Sequence, residues 1–393
     1  MKITKNKFYV SAIYTSPPNS MGGNTKILIE IINNLHDKYD FVILTTEPKT
    51  FKINLVKPEK VKIVPIKYPF KKFNLLTHFK EIKYIERIYD EFFKKNKISE
   101  NDYFFSPSDF APDVLPIYLL KNKYKFKWIP SLFLFIPNPI QNLLNHYKFP
   151  FFKYILYYFY QRYVFTKILE KGDLFLITNH YDKKFFPKKI RNKILDIYGG
   201  VNMEQIEAAK KALKNKEKLY DAVFCSRLHP QKGISQLLDV WKKVIKVIPS
   251  AELVIMGNGE KKFEEFLKEK VKKLGIDKNI NWLGFVNGAE KYKVYLQSKI
   301  FLHGTIYDNN GMVAAEALCS GIPVIMYDLP QLRYIYKDGC IKIEIGNKNQ
   351  YAQEIISKLK TSRITGITNR NKIADLWNWQ NRAKTFNDFL KRN

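Results

Sequence analysis

The sequence predicts an α/β protein of two domains, each built around a parallel sheet with helices on both faces. Three observations lead to this prediction. The chain has 393 residues, more than the roughly 250 to 300 residues at which a single hydrophobic core stops growing. Short apolar segments alternate with helical patterns, which is the order of βαβ units. This alternation starts again near residue 222, so the chain repeats one architecture.

In the first half, apolar runs bounded by turn residues predict strands. The first run, at 8–14, is too short for a signal peptide and is interpreted as a strand. A turn at Gly22 and Gly23 and a helix over 25–36 follow it. The other predicted elements are strands at 40–46, 61–66, 103–106, 128–135, 174–178 and 193–198, and a charged helix over 74–97. Residues 1–200 are therefore expected to form an N-terminal Rossmann-like domain.

In the second half, a polar, lysine-rich segment at 202–218 is expected to be a connector with helical content between the domains. Strands are predicted at 222–225, 253–256, 280–283, 300–303 and 323–327, with helices starting near residues 234, 260, 290 and 312. Residues 201–376 are expected to form the C-terminal Rossmann-like domain. Ligands of such sheets bind at the carboxyl ends of the strands, where the strand order reverses.

The net charge is +30, from 67 Lys and Arg against 37 Asp and Glu. This excess favours phosphates, nucleic acid or an anionic membrane as partner. Lysines are scattered over both halves, however, so a compositional bias explains the charge equally well. No nucleic-acid motif is present, and nucleic acid is therefore not expected as a partner.

The cysteines predict a reducing, cytoplasmic setting. Cys225, Cys319 and Cys340 lack metal-ligand spacing and do not make a disulfide framework. No run of about 18 apolar residues predicts a membrane-spanning helix.

The first chemical motif is the segment at 226–233, SRLHPQKG, which follows the first strand of the second half. It places Arg227 and Lys232 where a ligand is expected. An Arg fork and a Lys point charge suit a diphosphate, since each charged hydrogen bond contributes about 1.5–3 kcal/mol. Solvated loop cations are the alternative interpretation, which the position between strand and helix disfavours.

The second motif is the segment at 307–316, YDNNGMVAAE, which continues into an apolar helix. Glu316 lies within this helix, where an unpaired carboxylate is costly, and ribose hydroxyls are a suitable partner. Asp308 is either a ligand contact or an N-terminal cap of the helix. Gly311 allows close approach of a ligand, and the N–H groups of Met312 and Val313 open the helix.

Together the two motifs resemble family 4 of the retaining glycosyltransferases, which have the GT-B fold. The family carries G-R-L-x-x-x-K-G, and this chain has Ser226 in place of the first glycine. The family also carries E-x-F-G-x4-E-A, where this chain has Asp308, Gly311 and Glu316. The resemblance is clear over about residues 222–339 and weak before them.

The resemblance implies two facing Rossmann-like domains and retaining transfer of a sugar from a nucleotide-diphosphate sugar to a hydroxyl on a glycan or lipid-linked acceptor. Arg227 and Lys232 would bind the diphosphate, Asp308 the transferred sugar, and Glu316 the ribose. It also implies that a helix at about 377–393 returns to the N-terminal domain. The other donor-binding positions that it implies are Gly22, Gly23, Gly257, Val286, Gly311, Met312 and Val313.

Two departures from the family pattern affect the site. Asp308 is one methylene shorter than the family's Glu, so its sugar contact must be closer or run through water. The family's frequent His after the strand at 128–135 is missing, and Asp109 or His180 is the candidate replacement. Surface or structural roles are the alternative for both residues. No Asp-x-Asp occurs in the sequence, so no metal or other cofactor is expected.

Two rival functions and one question about location stay open. A phosphorylase or nucleotide-sugar epimerase would use the same fold, and a non-catalytic polyanion binder would use the charge. The aromatic segment at 150–169 favours peripheral docking on the cytoplasmic face of a membrane, because Tyr-rich helices with basic residues suit the interface. A helix packed inside the N-terminal domain is the alternative.

Overall fold

The computed structural model describes residues 5–18, 21–70, 75–139, 151–213, 217–337, 339–361 and 370–393. They form two compact units, Met1–Gly199 with Arg382–Asn393 and Gly200–Asn381. Each unit contains a sheet in which every strand pairs in parallel with its neighbours. The predicted α/β class with two Rossmann-like domains is confirmed.

The first unit contains a seven-stranded sheet. Its strands are β1 (Lys7–Ala12), β2 (Asp40–Thr45), β3 (Lys62–Pro65), β4 (Tyr103–Ser106), β5 (Lys127–Leu132), β6 (Phe175–Ile177) and β7 (Ile194–Asp196). The strand order is β3-β2-β1-β4-β5-β6-β7, so the order reverses between β1 and β4. Nearly all residues of β1, β2, β4 and β5 are buried, as expected for a parallel sheet covered on both faces.

Helices cover the sheet of the first unit. They are α1 (Gly23–Leu35), α2 (Pro48–Asn54), α3 (Leu75–Asn96), α4 (Ala111–Leu120) and α5 (Phe151–Lys171). Sequence patterns did not predict α4, because prolines usually interrupt helices. Pro112 lies in the first turn, where no backbone N–H is needed, and Pro116 is accommodated inside the helix.

The carboxyl ends of β1 and β4 are joined through Asp113 of α4, which is fully buried. Its Oδ1 accepts a hydrogen bond from the N–H of Ile13 at 2.7 Å, and its Oδ2 accepts one from the Ser108 hydroxyl. Asp113 therefore fixes the two loops at the reversal point of this sheet.

The second unit contains a six-stranded sheet. Its strands are β8 (Tyr220–Cys225), β9 (Leu253–Met256), β10 (Ile280–Gly284), β11 (Ser298–His303), β12 (Val324–Tyr327) and β13 (Cys340–Ile343). The order is β10-β9-β8-β11-β12-β13, with the reversal between β8 and β11. The predicted strands are all present, and β13 was not predicted.

The helices of the second unit begin with one that was expected to be a connector. They are α6 (Met203–Ala212), α7 (Ile234–Ile245), α8 (Lys261–Leu274), α9 (Gly288–Leu296), α10 (Met312–Cys319), α11 (Pro330–Arg333), α12 (Lys348–Lys360) and α13 (Arg370–Leu376). Helix α6 packs on α9 and buries Ile206 and Ala209. The predicted helical content is confirmed, and the helix is a packed part of the second unit.

The last helix, α14 (Trp379–Arg392), belongs to the first unit from Arg382 onward. Phe386 packs against Phe8 of β1 with ring centroids 6.0 Å apart, and the Tyr39 hydroxyl donates to Asn387 Oδ1 at 3.1 Å. In the described part of the chain, no helix is both long enough and apolar enough to cross a membrane.

Candidate active site

The loops after β8 and β11 are bonded together at the reversal point of the second sheet. The Gln231 side-chain amide donates to the backbone oxygen of Tyr307 at 2.7 Å, and the N–H of Ile306 donates to the Gln231 backbone oxygen at 3.1 Å. Gly233 has φ +68°, and a Cβ on it would lie 1.8 Å from the Gly304 backbone oxygen. A glycine is therefore required for the two loops to meet.

The best-defined charged contact at this point joins Lys232 to Asp308. Lys232 Nζ donates to Asp308 Oδ2 at 2.8 Å, and His303 Nε2 lies 3.7 Å from the same oxygen. Burial alone would raise the pKa of Asp308, but the Lys232 ammonium and His303 together bring it below its usual value. Two residues predicted from separate motifs are thus in direct contact.

The other oxygen of Asp308 holds the turn before α10. Oδ1 accepts from the N–H groups of Asn309 at 2.9 Å and of Asn310 and Gly311 at 3.3 Å. The N-cap residue of α10 is Gly311, at φ +61°, and it has no side-chain cap. The alternative in which Asp308 is the N-terminal cap of α10 is wrong, because its carboxylate binds the backbone of the preceding turn.

Tyr336 contacts the backbone at the start of α10. The Tyr336 hydroxyl lies 2.7 Å from the Gly311 backbone oxygen and 3.1 Å from that of Asn310. Met312 and Val313 form the first turn of α10, and both are half-buried. Their N–H groups open the helix beside Asp308, as the motif predicted.

Glu316, one turn into α10, has protein partners that the sequence did not indicate. Lys291 Nζ lies 2.7 Å from Glu316 Oε1, and the Tyr295 hydroxyl lies 3.4 Å from Oε2. Burial alone would lower the pKa of Lys291, but attraction to Glu316 raises it. Lys291 thus supplies the partner that the Glu316 carboxylate needs. The need for a partner is therefore not by itself evidence that Glu316 binds ribose. No sequence signal identified Lys291, because its spacing from Tyr295 on α9 does not reveal a partner on another helix.

Arg227, Gly257 and Val286 follow three neighbouring strands. Arg227 is exposed and has no carboxylate partner among the residues that the structure describes. Gly257 has φ +136°, and a Cβ on it would lie 1.8 Å from the Ser226 backbone oxygen. Val286 comes two residues after β10 and is half-buried. Gly257 therefore lets the loop after β9 contact the loop that carries Arg227.

Gly22 and Gly23 lie at the start of α1 in the first unit. Gly22 is the N-cap residue, and its N–H donates to the Ser16 hydroxyl at 2.8 Å. A Cβ at Gly22 would lie 2.8 Å from Ser16 Oγ. The glycine pair thus keeps the loop after β1 close to the helix start, at the reversal point of the first sheet.

Asp109 and His180, the two candidate replacements for the missing His, are in different surroundings. Asp109 follows β4 and accepts a hydrogen bond from the Gln161 amide at 2.5 Å. Burial raises the pKa of Asp109 to about 6. His180 follows β6, is 49% exposed, and its Nδ1 lies 2.9 Å from Asp196 Oδ2. Asp109 is the more enclosed of the two.

No group of three or more His, Cys, Asp or Glu side chains is placed to hold a metal ion within the ranges that the structure covers. Among the described residues, Cys225, Cys319 and Cys340 form no disulfide bond.

Solved structures define the class of fold. The chain superposes on the Anabaena HepE protein, solved with UDP and glucose, with a TM-score of 0.73 at 14% identity, covering 99% of this chain and 100% of that chain. Sucrose-phosphate synthase from Thermosynechococcus elongatus gives 0.75 at 15% identity, with 99% of each chain covered. Identities this low show the fold alone, and that fold is GT-B.

The sequence comparisons find similarity in the second half of the chain. Residues 205–373 match the model of glycosyl transferases group 1. An uncharacterized glycosyltransferase of Methanocaldococcus jannaschii is 30% identical over 169 residues, which are 40% of this chain and 42% of the relative. The alpha-monoglucosyldiacylglycerol synthase of Acholeplasma laidlawii is 25% identical over 203 residues, 48% and 50% of the two chains. The match to the glycosyl transferases group 1 model lies in the same half of the chain as the two motifs, and it bears out the resemblance that those motifs indicated.

A third relative is the phosphatidyl-myo-inositol mannosyltransferase of Mycobacterium leprae, 26% identical over 170 residues, which are 42% of this chain and 44% of the relative. The chain spans about half the length of these curated relatives, or slightly less.

Proposed function

We propose that this chain transfers a sugar, with retention at the anomeric carbon, from a nucleotide-diphosphate sugar to a hydroxyl acceptor. The observation that carries the proposal is the contact of Lys232 with Asp308 at the reversal point of the second sheet, with Arg227 exposed in the same loop as Lys232. The family supports sugar transfer. The HepE structure contains UDP, which supports a nucleotide as the leaving group.

In the proposed reaction, the bond between the anomeric carbon and the diphosphate oxygen breaks, and the electron pair stays on the diphosphate. Arg227 and Lys232 stabilise that charge, together with the N–H groups at the start of α10. The acceptor oxygen then forms its bond from the face that the diphosphate leaves, and its proton passes to a diphosphate oxygen. Asp308 contacts the positively charged sugar, and Glu316 holds the ribose.

In this proposal, side-chain cations and helix N–H groups stabilise the negative charge of the leaving group, and no metal is needed. We expect turnover to be unchanged by EDTA, because the chain has no Asp-x-Asp clamp for a metal-bound diphosphate. The measurement is the initial rate before and after dialysis against EDTA. A rate that falls with EDTA and returns with Mg²⁺ or Mn²⁺ would contradict this expectation.

The proposal is tested by a thermal-shift screen against nucleotide-diphosphate sugars and short nucleic acids. We expect stabilisation by at least one nucleotide-diphosphate sugar and none by nucleic acid. Stabilisation by nucleic acid alone would favour the polyanion binder, for which the charge of +30 argues. A phosphorylase would instead release sugar phosphate when inorganic phosphate is added, and an epimerase would convert the donor without an acceptor.

We propose a lipid-linked acceptor and docking of the first unit on an anionic membrane surface. Helix α5 carries a patch of exposed apolar side chains, namely Leu156, Tyr157, Phe159 and Tyr163, with Phe159 64% exposed. Helix α5 also makes polar contacts inside the unit, from Tyr160 to His78 and from Gln161 to Asp109. An exposed apolar patch of this kind is typical of a surface that contacts a membrane or a partner.

Other contacts of α5 support the same proposal. Arg162 stacks on Phe135, Tyr158 and Phe185, with its guanidinium 5.0 to 5.4 Å from the ring centroids, so it does not interrupt the exposed patch. Val164, Phe165 and Ile168 are buried, so the second half of α5 anchors the helix in the unit. The names of two relatives refer to lipids, namely alpha-monoglucosyldiacylglycerol synthase and phosphatidyl-myo-inositol mannosyltransferase.

The membrane proposal predicts that Phe159→Ser with Tyr163→Ser lowers vesicle binding. Each large side chain contributes about 1.5–3 kcal/mol when buried, so a loss of about tenfold or more is expected. The measurement is co-sedimentation with anionic and neutral vesicles across a salt series. Phe266→Ser is the matched control, since Phe266 is 48% exposed in the second unit. Wild-type protein that binds no anionic vesicles at low salt would contradict the proposal.

A further inference from the structure

The ion pair between Lys291 and Glu316 joins two helices of the candidate site. Lys291 lies on α9 and Glu316 on α10, and their charged atoms are 2.7 Å apart. The side chains are 14% and 13% exposed, so the pair is enclosed on most sides and still reachable from outside. An ion pair this enclosed requires close geometry, and replacing such pairs by apolar residues is often neutral for stability.

We propose that Lys291 is a specificity-determining positioning residue, which orients the Glu316 carboxylate to accept both ribose hydroxyls of a nucleoside diphosphate. This inference rests on the proposed function, in which Glu316 holds the ribose. It adds Lys291 to the proposed contact between Glu316 and the ribose. Lys291 and Glu316 together would then determine the preference for ribose over deoxyribose.

The geometry leaves Glu316 with free acceptor positions. A carboxylate has two oxygens and about four lone-pair positions. Lys291 occupies one position on Oε1, and the Tyr295 hydroxyl approaches Oε2 at 3.4 Å. Lys291 and Tyr295 are four residues apart on one face of α9, so both reach the carboxylate from the same side. These two contacts fix the rotation of the Glu316 carboxylate. Its remaining lone-pair positions can accept hydrogen bonds from two hydroxyl groups.

The other groups around Lys291 are neutral. Its Nζ lies 5.0 Å from the centroid of the Tyr292 ring. Cys225, at the end of β8, is also near, but burial raises the pKa of its thiol to about 11, so it carries no charge at neutral pH. Glu316 is therefore the anionic partner of Lys291 within the described residues, and Lys291 is held charged by it.

Lys291 also changes the charge of the site. Three cations, Arg227, Lys232 and Lys291, stand against two carboxylates, Asp308 and Glu316, which leaves 3 − 2 = +1. Without Lys291 the same groups sum to zero. The site would then have no net positive charge to attract a negatively charged diphosphate. Glu316 would also be a buried charge without its partner.

The test uses Lys291→Met, with Lys293→Met as the matched control on the same helix. Lys293 pairs with Glu290 of its own helix and lies outside the Glu316 contact. UDP, GDP and ADP are titrated into wild type by calorimetry, and the tightest of them is then compared with its 2′-deoxy and 3′-deoxy forms. We expect Lys291→Met to weaken binding of the ribose form by about tenfold or more. We also expect its preference for ribose over deoxyribose to fall close to one.

Two further variants separate positioning from folding. Lys291→Arg keeps the charge and is expected to keep most of the preference for ribose. The double variant Lys291→Met with Glu316→Gln removes the unpaired buried charge, and it is expected to melt like wild type while lacking the preference.

The outcomes distinguish this inference from the function on which it rests. Wild type that binds none of the three nucleoside diphosphates would overturn both. Wild type that binds one of them while Lys291→Met keeps the same affinity and the same ribose preference would overturn the role of Lys291 alone. A uniform loss of affinity with an unchanged preference would likewise overturn the positioning of Glu316.

Discussion

Replacing Lys232 and Arg227 by alanine together is expected to lower turnover by about 100-fold or more, because roughly 2.7 kcal/mol of lost leaving-group stabilisation corresponds to that factor. Arg227 is exposed and has no carboxylate partner in the described residues, so its side chain contributes little to the fold. The loss should appear in the rate of sugar transfer at saturating donor. It should also appear as weaker binding of the free nucleoside diphosphate.

The matched control for this variant is Arg333→Ala. Arg333 lies in the same unit, is 59% exposed and pairs with Asp328 away from the site. Because Lys232 bonds Asp308, the thermal transition of the double variant must be recorded beside that of wild type. A folded double variant with wild-type turnover would remove Arg227 and Lys232 from the mechanism.

Several features of this site followed from the sequence because they depend on the order of strands. A segment after a strand and before a helix must lie at the carboxyl end of a parallel sheet. Lys232 follows β8 and Asp308 follows β11, and these two strands are neighbours at the reversal point. The motifs therefore located both residues, and the 2.8 Å contact between them is a consequence of that topology.

Lys291 could not be found in the same way, because its partner is 25 residues away and on another helix. A lysine in a short polar helix usually belongs to a solvated face, and its neighbour Lys293 does make an ordinary contact with Glu290 one turn earlier. Lys291 is distinguished from Lys293 by a tertiary contact, the ion pair with Glu316 of α10.

The sequence patterns did not predict helix α4 because it contains prolines. Its prolines argue against a helix, yet the segment is held by tertiary contacts through Asp113, whose carboxylate binds the loops after β1 and β4. The hydrogen bonds and burial of those contacts outweigh a propensity cost of about 3 kcal/mol for an internal proline. Intrinsic propensity is overruled in this way where a segment is enclosed by a sheet and its loops.

Replacing Asp308 by alanine is expected to lower both turnover and stability. The change removes the partner of Lys232 and the acceptor of three backbone N–H groups before α10. Breaking a largely buried pair costs about 3 kcal/mol, and the freed turn should carry the sugar contact out of place. We therefore expect a lower urea midpoint and a turnover loss of about 100-fold. Asp308→Asn keeps an oxygen for the turn, so it should recover part of the stability and little of the turnover.

The pH dependence of stability separates the charge of Asp308 from its role in the turn. The pKa of this carboxyl is below its usual value of 3.8 in the folded protein, because Lys232 and His303 outweigh the effect of burial. The ion pair therefore stabilises the fold above about pH 4, and its contribution is lost as the pH falls and the carboxylate takes up a proton. The difference in urea midpoint between wild type and Asp308→Asn should accordingly be largest near neutral pH and shrink below pH 4. A difference that stays constant from neutral to acidic pH would mean that the charge of Asp308 contributes nothing to the fold.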